Sequence, residues 1–288
     1  MRVAIIGGSG KMGRWLANFL LKDGKEVVIS GRNERKLLEA KQQLGVEVAS
    51  NVEAVKSADV VLLSVPVESF EEVVTQISPH IQPRQVVAEI SSIKVFPVAT
   101  MHKHLKTKFT LGVHPLFGPG ARSIVNQNFI LTPTNDEERA LAQKARKYLE
   151  TRGARVSLMT PQEHDEKMGI ILGLPHFIAL VSADTLLSSD LREMEAIGGI
   201  TYKLLVTLME SVISEDPEFY ASLQMNLPHI TEMEKLFQRK AKVWADLVKN
   251  KDRQKFVQQM KVLRNRLEKD NPDFGKAYEN MYRIVEGL

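Results

Sequence analysis

The stretch Val3-Ala-Ile-Ile-Gly-Gly8-Ser-Gly10-Lys-Met-Gly13 decides the fold, because it joins an apolar strand to a Gly-x-Gly-x-x-Gly turn and then to a helical pattern. The first glycine permits the tight turn, the second lets a pyrophosphate approach the backbone, and the third lets the helix pack closely on the strand. A second strand pattern at 26–30 completes a βαβ unit. The stretch therefore predicts a dinucleotide-binding turn formed by Gly8, Ser9, Gly10, Lys11, Met12 and Gly13.

The composition is that of a soluble globular protein, with 288 residues of which 43% are hydrophobic and 26% are charged. The chain has no cysteine, which excludes disulfides, thiol catalysis and thiolate metal sites. No metal site is predicted, since His102 and His104 would diverge on a helix. The longest apolar run, 169–181, is expected to be too short to cross a bilayer, and no signal peptide precedes the first strand. We therefore predict a cytoplasmic protein without a membrane partner.

Positive charge is concentrated late in the chain, where residues 235–269 hold twelve lysines and arginines against three acidic residues. Such a stretch is able to bind nucleic acid. Its apolar residues, however, recur at helical spacing, so the charges fall on the opposite, solvated face of the helices. We therefore predict no nucleic-acid partner.

Strand and helix patterns alternate through residue 158, after which strand patterns disappear. The predicted strands lie near 2–7, 26–31, 46–49, 59–65, 85–90, 109–113, 128–132 and 154–158. This pattern predicts an α/β Rossmann-type doubly wound sheet followed by an all-α helical dimerisation domain. Thr160-Pro-Gln-Glu163 is typical of a helix start, which sets the domains at 1–159 and 160–288. Because its helices are apolar around more than one face, the second domain is expected to form a homodimer.

The end of the second strand, Ser30-Gly-Arg-Asn33, lacks the acid that usually binds the ribose 2′-hydroxyl of NAD. An arginine at this place can pair with a 2′-phosphate, so Arg32 favours NADP over NAD. The alternative is a solvated arginine that tolerates either cofactor. Pro66 ends the apolar fourth strand at the edge of the sheet where ligands bind. Outside the glycine turn, the predicted cofactor contacts are Ser30, Arg32, Asn33, Ser64, Val65 and Pro66.

Three histidines are candidates for chemistry. His114 follows an apolar strand, and beside a nicotinamide it would accept a proton or hydrogen-bond a hydroxyl as hydride leaves the same carbon. His164 and His176 lie on the predicted first helix of the second domain, near enough to one face to point at a cleft, although each alone is better explained as a buried structural histidine. The segment Ser91-Ser-Ile-Lys94 brings hydroxyls and an ammonium to the same sheet edge, or forms an ordinary helix cap.

Six motifs in register resemble prephenate dehydrogenase of the archaeal type over essentially the whole chain. They are Gly8–Gly13, Ser92–Lys94, His114-Pro-Leu-Phe-Gly-Pro119, Glu163-His-Asp165, Leu174-Pro-His176 and Asp216-Pro-Glu-Phe-Tyr220. The resemblance implies oxidative decarboxylation of prephenate to 4-hydroxyphenylpyruvate with hydride transfer to NAD(P), in tyrosine biosynthesis. It implies that His114 deprotonates or hydrogen-bonds the ring hydroxyl, that Ser92 orients His114 and the substrate, and that His176 lines the substrate pocket. His164 would stabilise the domain junction.

The chain departs from the family pattern at two places. Gly173 stands where many bacterial members have a histidine, and the stretch 200–205 lacks the arginine that binds a substrate carboxylate. Prephenate is a dianion and needs at least one strong cation. The candidates, in order of preference, are Lys203, Arg122 and Lys94.

Three alternatives stay open at this stage. The first is arogenate dehydrogenase, whose substrate differs from prephenate only by an amino in place of a keto group. The second is a β-hydroxyacid dehydrogenase or imine reductase-like enzyme, in which Lys167 would donate the proton. The third is a non-catalytic NADP-sensing protein, which would leave the polar set of Ser92, His114 and His176 without a use.

Overall fold

The computed structural model describes residues 1–287 and contains two compact units, of which the first is Met1–Met168. This unit is built on one eight-stranded sheet in the order β3-β2-β1-β4-β5-β6-β7-β8. The strands are β1 (Arg2–Ile6), β2 (Glu26–Ser30), β3 (Glu47–Val48), β4 (Val60–Leu63), β5 (Val86–Glu89), β6 (Thr110–Pro115), β7 (Asn128–Thr132) and β8 (Arg155–Leu158). Only the β6–β7 pair is antiparallel. The predicted doubly wound sheet is therefore confirmed.

Helices cover both faces of this sheet. They are α1 (Lys11–Lys22), α2 (Glu34–Leu44), α3 (Asn51–Ser57), α4 (Phe70–Ile77), α5 (Val95–His104), α6 (Asp136–Glu150) and α7 (Pro161–Met168). On one face Phe70 and Ile77 of α4 are fully buried, and on the other Leu16 of α1 packs with Ile5 and Ile29. Burying apolar side chains on both faces stabilises a parallel sheet and holds the carboxyl ends of its strands at one edge.

The division between the compact units falls after Met168, whereas the sequence analysis placed it at 159/160, where the strand pattern ends. The reason is the packing of α7. Its residues His164, Asp165 and Met168 are buried within the first unit. Asp165 also accepts hydrogen bonds from the backbone amides that begin α5. The first helix after the last strand thus belongs to the sheet unit.

The second unit, from Gly169 onward, is helical throughout its described residues 169–287, as predicted. A π-helical turn at Gly169–Gly173 leads into α8 (Leu174–Leu186), α9 (Leu191–Ile197), α10 (Ile200–Ile213), α11 (Pro217–Asn226), α12 (Ile230–Lys249), α13 (Arg253–Asp270) and α14 (Ala277–Glu286). The apolar periodicity of the sequence predicts one helix over about 190–214, but in the structure this stretch is broken at Gly198-Gly199, where the backbone is extended. Within this chain α13 and α14 bury no residue, and Ile197 and Met225 are 78% and 82% exposed.

The expectation that the apolar run 169–181 is too short to cross a bilayer is corrected. The helical segment Pro161–Leu186 runs for 26 residues and contains an 18-residue window of mean hydropathy 1.6, so by length and composition it is able to cross a membrane. The π-helical turn keeps the segment helical past Gly173 and Pro175, so His164 and His176 lie on one continuous helical segment, as predicted. A single helix of this kind does not identify a membrane protein, because core helices of soluble proteins have the same properties.

Candidate active site

Five ionisable side chains lie together, almost without solvent exposure, at one edge of the sheet. They are Glu89 at the end of β5, Lys94 before α5, His114 near the end of β6, and His164 and Asp165 on α7. β5 and β6 are parallel neighbours, so their carboxyl ends meet at this edge. Burying so many ionisable groups is costly unless they pair with one another, and perturbed groups of this kind concentrate at functional sites.

Lys94 is fully buried and its ammonium forms an ion pair with Glu89. Its Nζ also donates to the carbonyl oxygen of Val113 at 3.0 Å, while the amide of Ser91 donates to Glu89 Oε2 at 2.8 Å. Burial raises the pKa of Glu89 and lowers the pKa of Lys94, and the attraction between the two charges opposes both shifts. Because this ammonium is already paired and has no exposed surface, Lys94 is not placed to bind a substrate carboxylate, contrary to the sequence hypothesis.

His114 is held by a chain of hydrogen bonds that begins at Asp165. Asp165 Oδ1 lies 2.7 Å from His164 Nδ1, and His164 Nε2 lies 2.7 Å from His114 Nδ1. Burial is the main cause that holds the pKa of His114 well below its usual value, with Lys94 and His164 adding to it, and burial also lowers the pKa of His164. Both imidazoles are therefore neutral at pH 7, and a neutral imidazole can accept a proton.

His164 is thus the side chain that contacts His114, a role that the sequence analysis had not assigned to it. Ser92, the predicted orienting residue, is half-buried and makes no side-chain hydrogen bond within residues 1–287. Lys167, which the hydroxyacid dehydrogenase alternative would use, is exposed on α7. The only signal in the sequence for His164 was its place in the Glu163-His-Asp165 motif, which does not reveal the direction of the side chain.

The glycine turn lies between the ends of β2 and β4. The amides of Gly7 and Gly8 both donate to the carbonyl oxygen of Ser30, at 3.0 and 2.9 Å. Gly7 has a φ of +83°, and a Cβ there would lie 2.1 Å from the carbonyl oxygen of Ser64, so no other residue fits. A Cβ on Gly13 would lie 2.7 Å from the carbonyl oxygen of Gly7. The turn brings together the predicted cofactor residues Gly8, Ser9, Gly10, Lys11, Met12, Gly13, Ser30, Ser64 and Val65, with Pro66 exposed just beyond them.

The start of α1 fits a dinucleotide phosphate. Its N-cap is Gly10, no side chain caps it, and no acidic residue stands in its first turn. In contrast, α2, α3 and α6 are each capped by a side chain. Uncapped amides at the positive end of a helix favour a bound anion, so this turn is suited to a pyrophosphate.

The residues predicted to select the cofactor differ in their availability. Arg32 is exposed after β2, with no ion pair inside the described part of the chain. The side chain of Asn33 accepts a hydrogen bond from the amide of Lys36 and caps α2, so its carbonyl oxygen is already used. Ser30 Oγ is buried and has no hydrogen-bond partner among residues 1–287.

In the second unit, the ring of His176 meets the ring of Tyr220 edge to face, with centroids 4.8 Å apart. Burial lowers the pKa of His176, and within residues 1–287 no group bonds its buried Nδ1. A Cβ on Gly173 would lie 2.2 Å from Ile230 Cδ1, so a larger residue there would require the end of this side chain to move. Of the candidate cations, Lys203 is exposed on α10, and Arg122 is exposed in the loop after β6 of the first unit.

A Rossmann-type sheet, a glycine turn suited to a pyrophosphate and a neutral buried histidine near the end of another strand of the same sheet define the class of nucleotide-dependent dehydrogenases. Comparison with known families agrees. The family model described as "Prephenate dehydrogenase, nucleotide-binding domain" matches residues 16–158, and "Prephenate dehydrogenase, dimerization domain" matches residues 160–262. The chain belongs to the prephenate dehydrogenase family, and the resemblance noted in the sequence is confirmed.

Individual relatives support this assignment. The chain is 35% identical over 91% of its length to a probable arogenate/prephenate dehydrogenase of Methanocaldococcus jannaschii, and 25% identical over 89% to the T-protein of Haemophilus influenzae. It spans 60% and 64% of the lengths of these two relatives. Its fold is similar to that of prephenate dehydrogenase from Aquifex aeolicus in complex with hydroxyphenyl propionate and NAD+, with a TM-score of 0.77 and 22% identity over 94% of this chain and 98% of that one.

Proposed function

We propose that this chain catalyses the oxidative decarboxylation of prephenate to 4-hydroxyphenylpyruvate, with hydride transfer to NAD(P), in tyrosine biosynthesis. The observation that carries the proposal is His114, a neutral histidine held at the end of β6 in the sheet that bears the glycine turn. Membership of the prephenate dehydrogenase family supports it. Arogenate is the second candidate substrate, because the name of the M. jannaschii relative includes both compounds.

The proposed chemistry asks this chain for positioning and one proton acceptor. A bound nicotinamide supplies the acceptor for the hydride that leaves the carbinol carbon of the ring. His114 takes the proton of the ring hydroxyl, which favours the departure of hydride from the same carbon. The ring carboxylate leaves as carbon dioxide, its bonding electrons make the ring aromatic, and the proton returns to the phenolic oxygen. Since aromatisation drives the reaction forward, the enzyme contributes mainly orientation and polarisation of the hydroxyl.

For the cofactor, we propose that the pyrophosphate lies on the uncapped start of α1 and that NADP is preferred to NAD. The exposed guanidinium of Arg32 supports the preference, because it is available to pair with a 2′-phosphate. Asn33 contributes less than the sequence suggested, since it caps α2.

For the substrate, we propose that Lys203 and Arg122 provide the cations that hold the carboxylates. Both are exposed, whereas Lys94 is paired with Glu89 in the interior. His176 remains a proposed pocket residue, supported by its unpartnered Nδ1. Ser92 remains a proposed substrate contact, supported by its side chain being free of other hydrogen bonds within residues 1–287.

For assembly, we propose a homodimer formed through the helical unit. The description of the matched family model as a dimerization domain supports it. So does the large apolar surface that α13 and α14 leave exposed in one chain, including Val257, Met260 and Ile284. A cytoplasmic location remains a proposal that fits a biosynthetic role.

The test is reduction of the nicotinamide, followed by absorbance, with prephenate or arogenate and NADP or NAD in all four combinations. Turnover with prephenate and NADP is expected. His114→Asn should remove most turnover and leave nucleotide affinity unchanged, while His80→Asn, in the short turn Ser78–His80, serves as the matched control. Nucleotide binding without turnover in any combination would contradict the proposal and favour the NADP-sensing alternative.

A further inference from the structure

The hydrogen bonds that connect Asp165, His164 and His114 indicate which tautomer His114 adopts. We propose that His164 and Asp165 are positioning residues that fix the tautomer of His114, so that Nδ1 carries the hydrogen and Nε2 is the proton-accepting atom. The use of Nε2 in catalysis rests on the proposed function. The tautomer itself does not, and it is measurable without any substrate.

The direction of this series of hydrogen bonds, from donor to acceptor, is set at Asp165. The other partners of its carboxyl group are backbone amides, which only donate. Its Oδ1 accepts from the backbone amide of Lys94 at 2.7 Å, and its Oδ2 accepts from the backbone amide of Val95 at 2.9 Å. A carboxylate only accepts hydrogen bonds, and an amide donor on each oxygen stabilises that form. The nitrogen that approaches Oδ1, His164 Nδ1, must therefore carry a hydrogen and donate it.

The next step follows from the chemistry of a neutral imidazole, which has one N–H group and one bare nitrogen. Since His164 Nδ1 carries the hydrogen, His164 Nε2 is bare and can only accept. The atom facing it at 2.7 Å is His114 Nδ1, which must donate. The hydrogen of neutral His114 is thereby assigned to Nδ1, and its Nε2 is left bare. Within residues 1–287 no protein group bonds this Nε2, so it is available to a ligand.

Burial, aided by the nearby Lys94 ammonium, keeps both rings neutral in the resting state, while Asp165 opposes this at His164 by raising its pKa. Glu89 of β5 and Lys94 before α5 form a buried ion pair beside β6, and the Lys94 ammonium disfavours a positive charge on either imidazole. Asp165 on α7 is the negative group that contacts His164. When His114 takes a proton on Nε2, its Nδ1–H continues to donate to His164, so the ring keeps its orientation throughout proton transfer.

This arrangement revises the role of His164. The family resemblance implies that it stabilises the junction between the domains, yet its ring is fully buried within the first unit and both of its nitrogens are used in the hydrogen bonds that lead to His114. Both nitrogens of a buried imidazole need hydrogen-bond partners, and for His164 one of these partners is His114, the proposed proton acceptor.

The direct test is the tautomer in solution. Protein labelled with ¹⁵N in its histidines, seven in this chain, reports by long-range ¹H–¹⁵N correlation which ring nitrogen carries the hydrogen. The His114 signals are assigned by their loss in His114→Asn. We expect the Nδ1–H form at His114 and at His164 in the unmodified protein near pH 7. An Nε2–H form at His114 would overturn the proposal, whatever the substrate proves to be.

Two variants test whether His164 determines the Nδ1–H tautomer of His114. In His164→Gln the amide oxygen can accept from His114 Nδ1, so the tautomer should persist and kcat should fall less than about tenfold. In His164→Leu no acceptor remains, so we expect mixed tautomers and a loss of about 100-fold in kcat, the range of a general base, with KM little changed. His80→Leu is the control for removing a histidine from the first unit.

The outcomes separate the two proposals. If the protein turns over neither prephenate nor arogenate but His114 shows the Nδ1–H form, the proposed function fails and the positioning role stands. If His164→Leu, folded by circular dichroism, keeps both the Nδ1–H form and the kcat of the unmodified protein, the positioning role fails. If His164→Leu does not fold, the spectrum of the unmodified protein and the rescue by glutamine still decide it.

Discussion

The Nε2 atom of His164 lies 2.7 Å from the Nδ1 atom of His114 in the interior of the first compact unit. One ring comes from a strand of the sheet and the other from the helix that follows the last strand. Within residues 1–287 the acidic partner of these rings is Asp165, and of the two imidazoles it contacts only that of His164. The tautomer of His114, near the end of β6, is therefore set by His164 of α7, a helix that is distant from β6 in the sequence.

The first prediction concerns the pH dependence of turnover. Since the pKa of His114 lies well below its usual value of about 6.5, the ring stays unprotonated, and able to accept a proton, through pH 6.5 and below. We expect kcat/KM to stay level as the pH falls through 6.5 and to decline only at lower pH. The measurement is a pH profile of kcat/KM between pH 5 and 8, with circular dichroism at each pH. A decline with its midpoint at or above pH 6.5 would contradict the low pKa.

The second prediction concerns the buried ion pair. Lys94→Met leaves the Glu89 carboxyl buried without its partner, so the free energy of unfolding should fall by about 3–5 kcal/mol. In the double variant Lys94→Met/Glu89→Gln no unpaired charge remains, and we expect part of the loss to be recovered. Urea unfolding of the two single variants and the double variant gives the coupling energy. Additive losses, with no recovery in the double variant, would show that the pair is not coupled as the contacts indicate.

The third prediction concerns Glu138 of α6, which lies at 1% exposure and accepts from His102, from Thr110 and from Thr134. Burial opposes these bonds, but together they lower its pKa from 4.5 to about 2. Glu138→Gln should reduce the free energy of unfolding at pH 7 by about 3 kcal/mol.

The pH dependence of the free energy of unfolding tests the low pKa of Glu138. An acid whose pKa is lower in the folded state stabilises the fold above its unfolded value, and this stabilisation is lost as the pH falls from about 4.5 towards 2. The difference in the free energy of unfolding between the unmodified protein and Glu138→Gln should therefore become smaller over that pH range. Glu137→Gln, at the exposed neighbouring position, is the control and should stay within about 0.5 kcal/mol of the unmodified protein. A difference that is constant with pH would argue against the low pKa.

The fourth prediction concerns the choice of cofactor. If Arg32 pairs with the 2′-phosphate, Arg32→Ala should raise KM for NADP at least about tenfold, the effect of losing one charge-assisted contact, and leave KM for NAD nearly unchanged. Arg35→Ala, which removes an exposed arginine that pairs with Glu39 on the same helix, is the matched control. Equal effects of Arg32→Ala on both cofactors would reduce this arginine to a surface charge.

Much of the fold was predictable because its signals are local. Each strand of the sheet coincides with a β-rich run, and the uncapped start of α1 follows directly from the glycine motif. His114, expected just after the apolar strand at 109–113, lies within β6 near its carboxyl end. In the helical unit, the pair Gly198-Gly199 was a visible signal for the break between α9 and α10, and it was overlooked in favour of the apolar periodicity on either side.

What the sequence did not reveal are the contacts between side chains that tertiary packing brings together. Lysine is the residue least expected in the interior, so Lys94 was interpreted as a cation for the substrate rather than as the partner of Glu89. The contact between His164 and His114 depends on how α7 packs against β6, which no local spacing determines. The motif around His164 marked the position as special without indicating its partner.

The carboxylate of Asp165 caps the start of α5 and also accepts a hydrogen bond from His164 on its own helix, α7. Through its two oxygens it holds the first amides of α5, and through the same Oδ1 it holds His164. Replacing this carboxylate is therefore expected to disturb the start of α5 and the hydrogen bonds to His114 together. A stabilising substitution elsewhere in the fold would compensate for the first loss but not for the second.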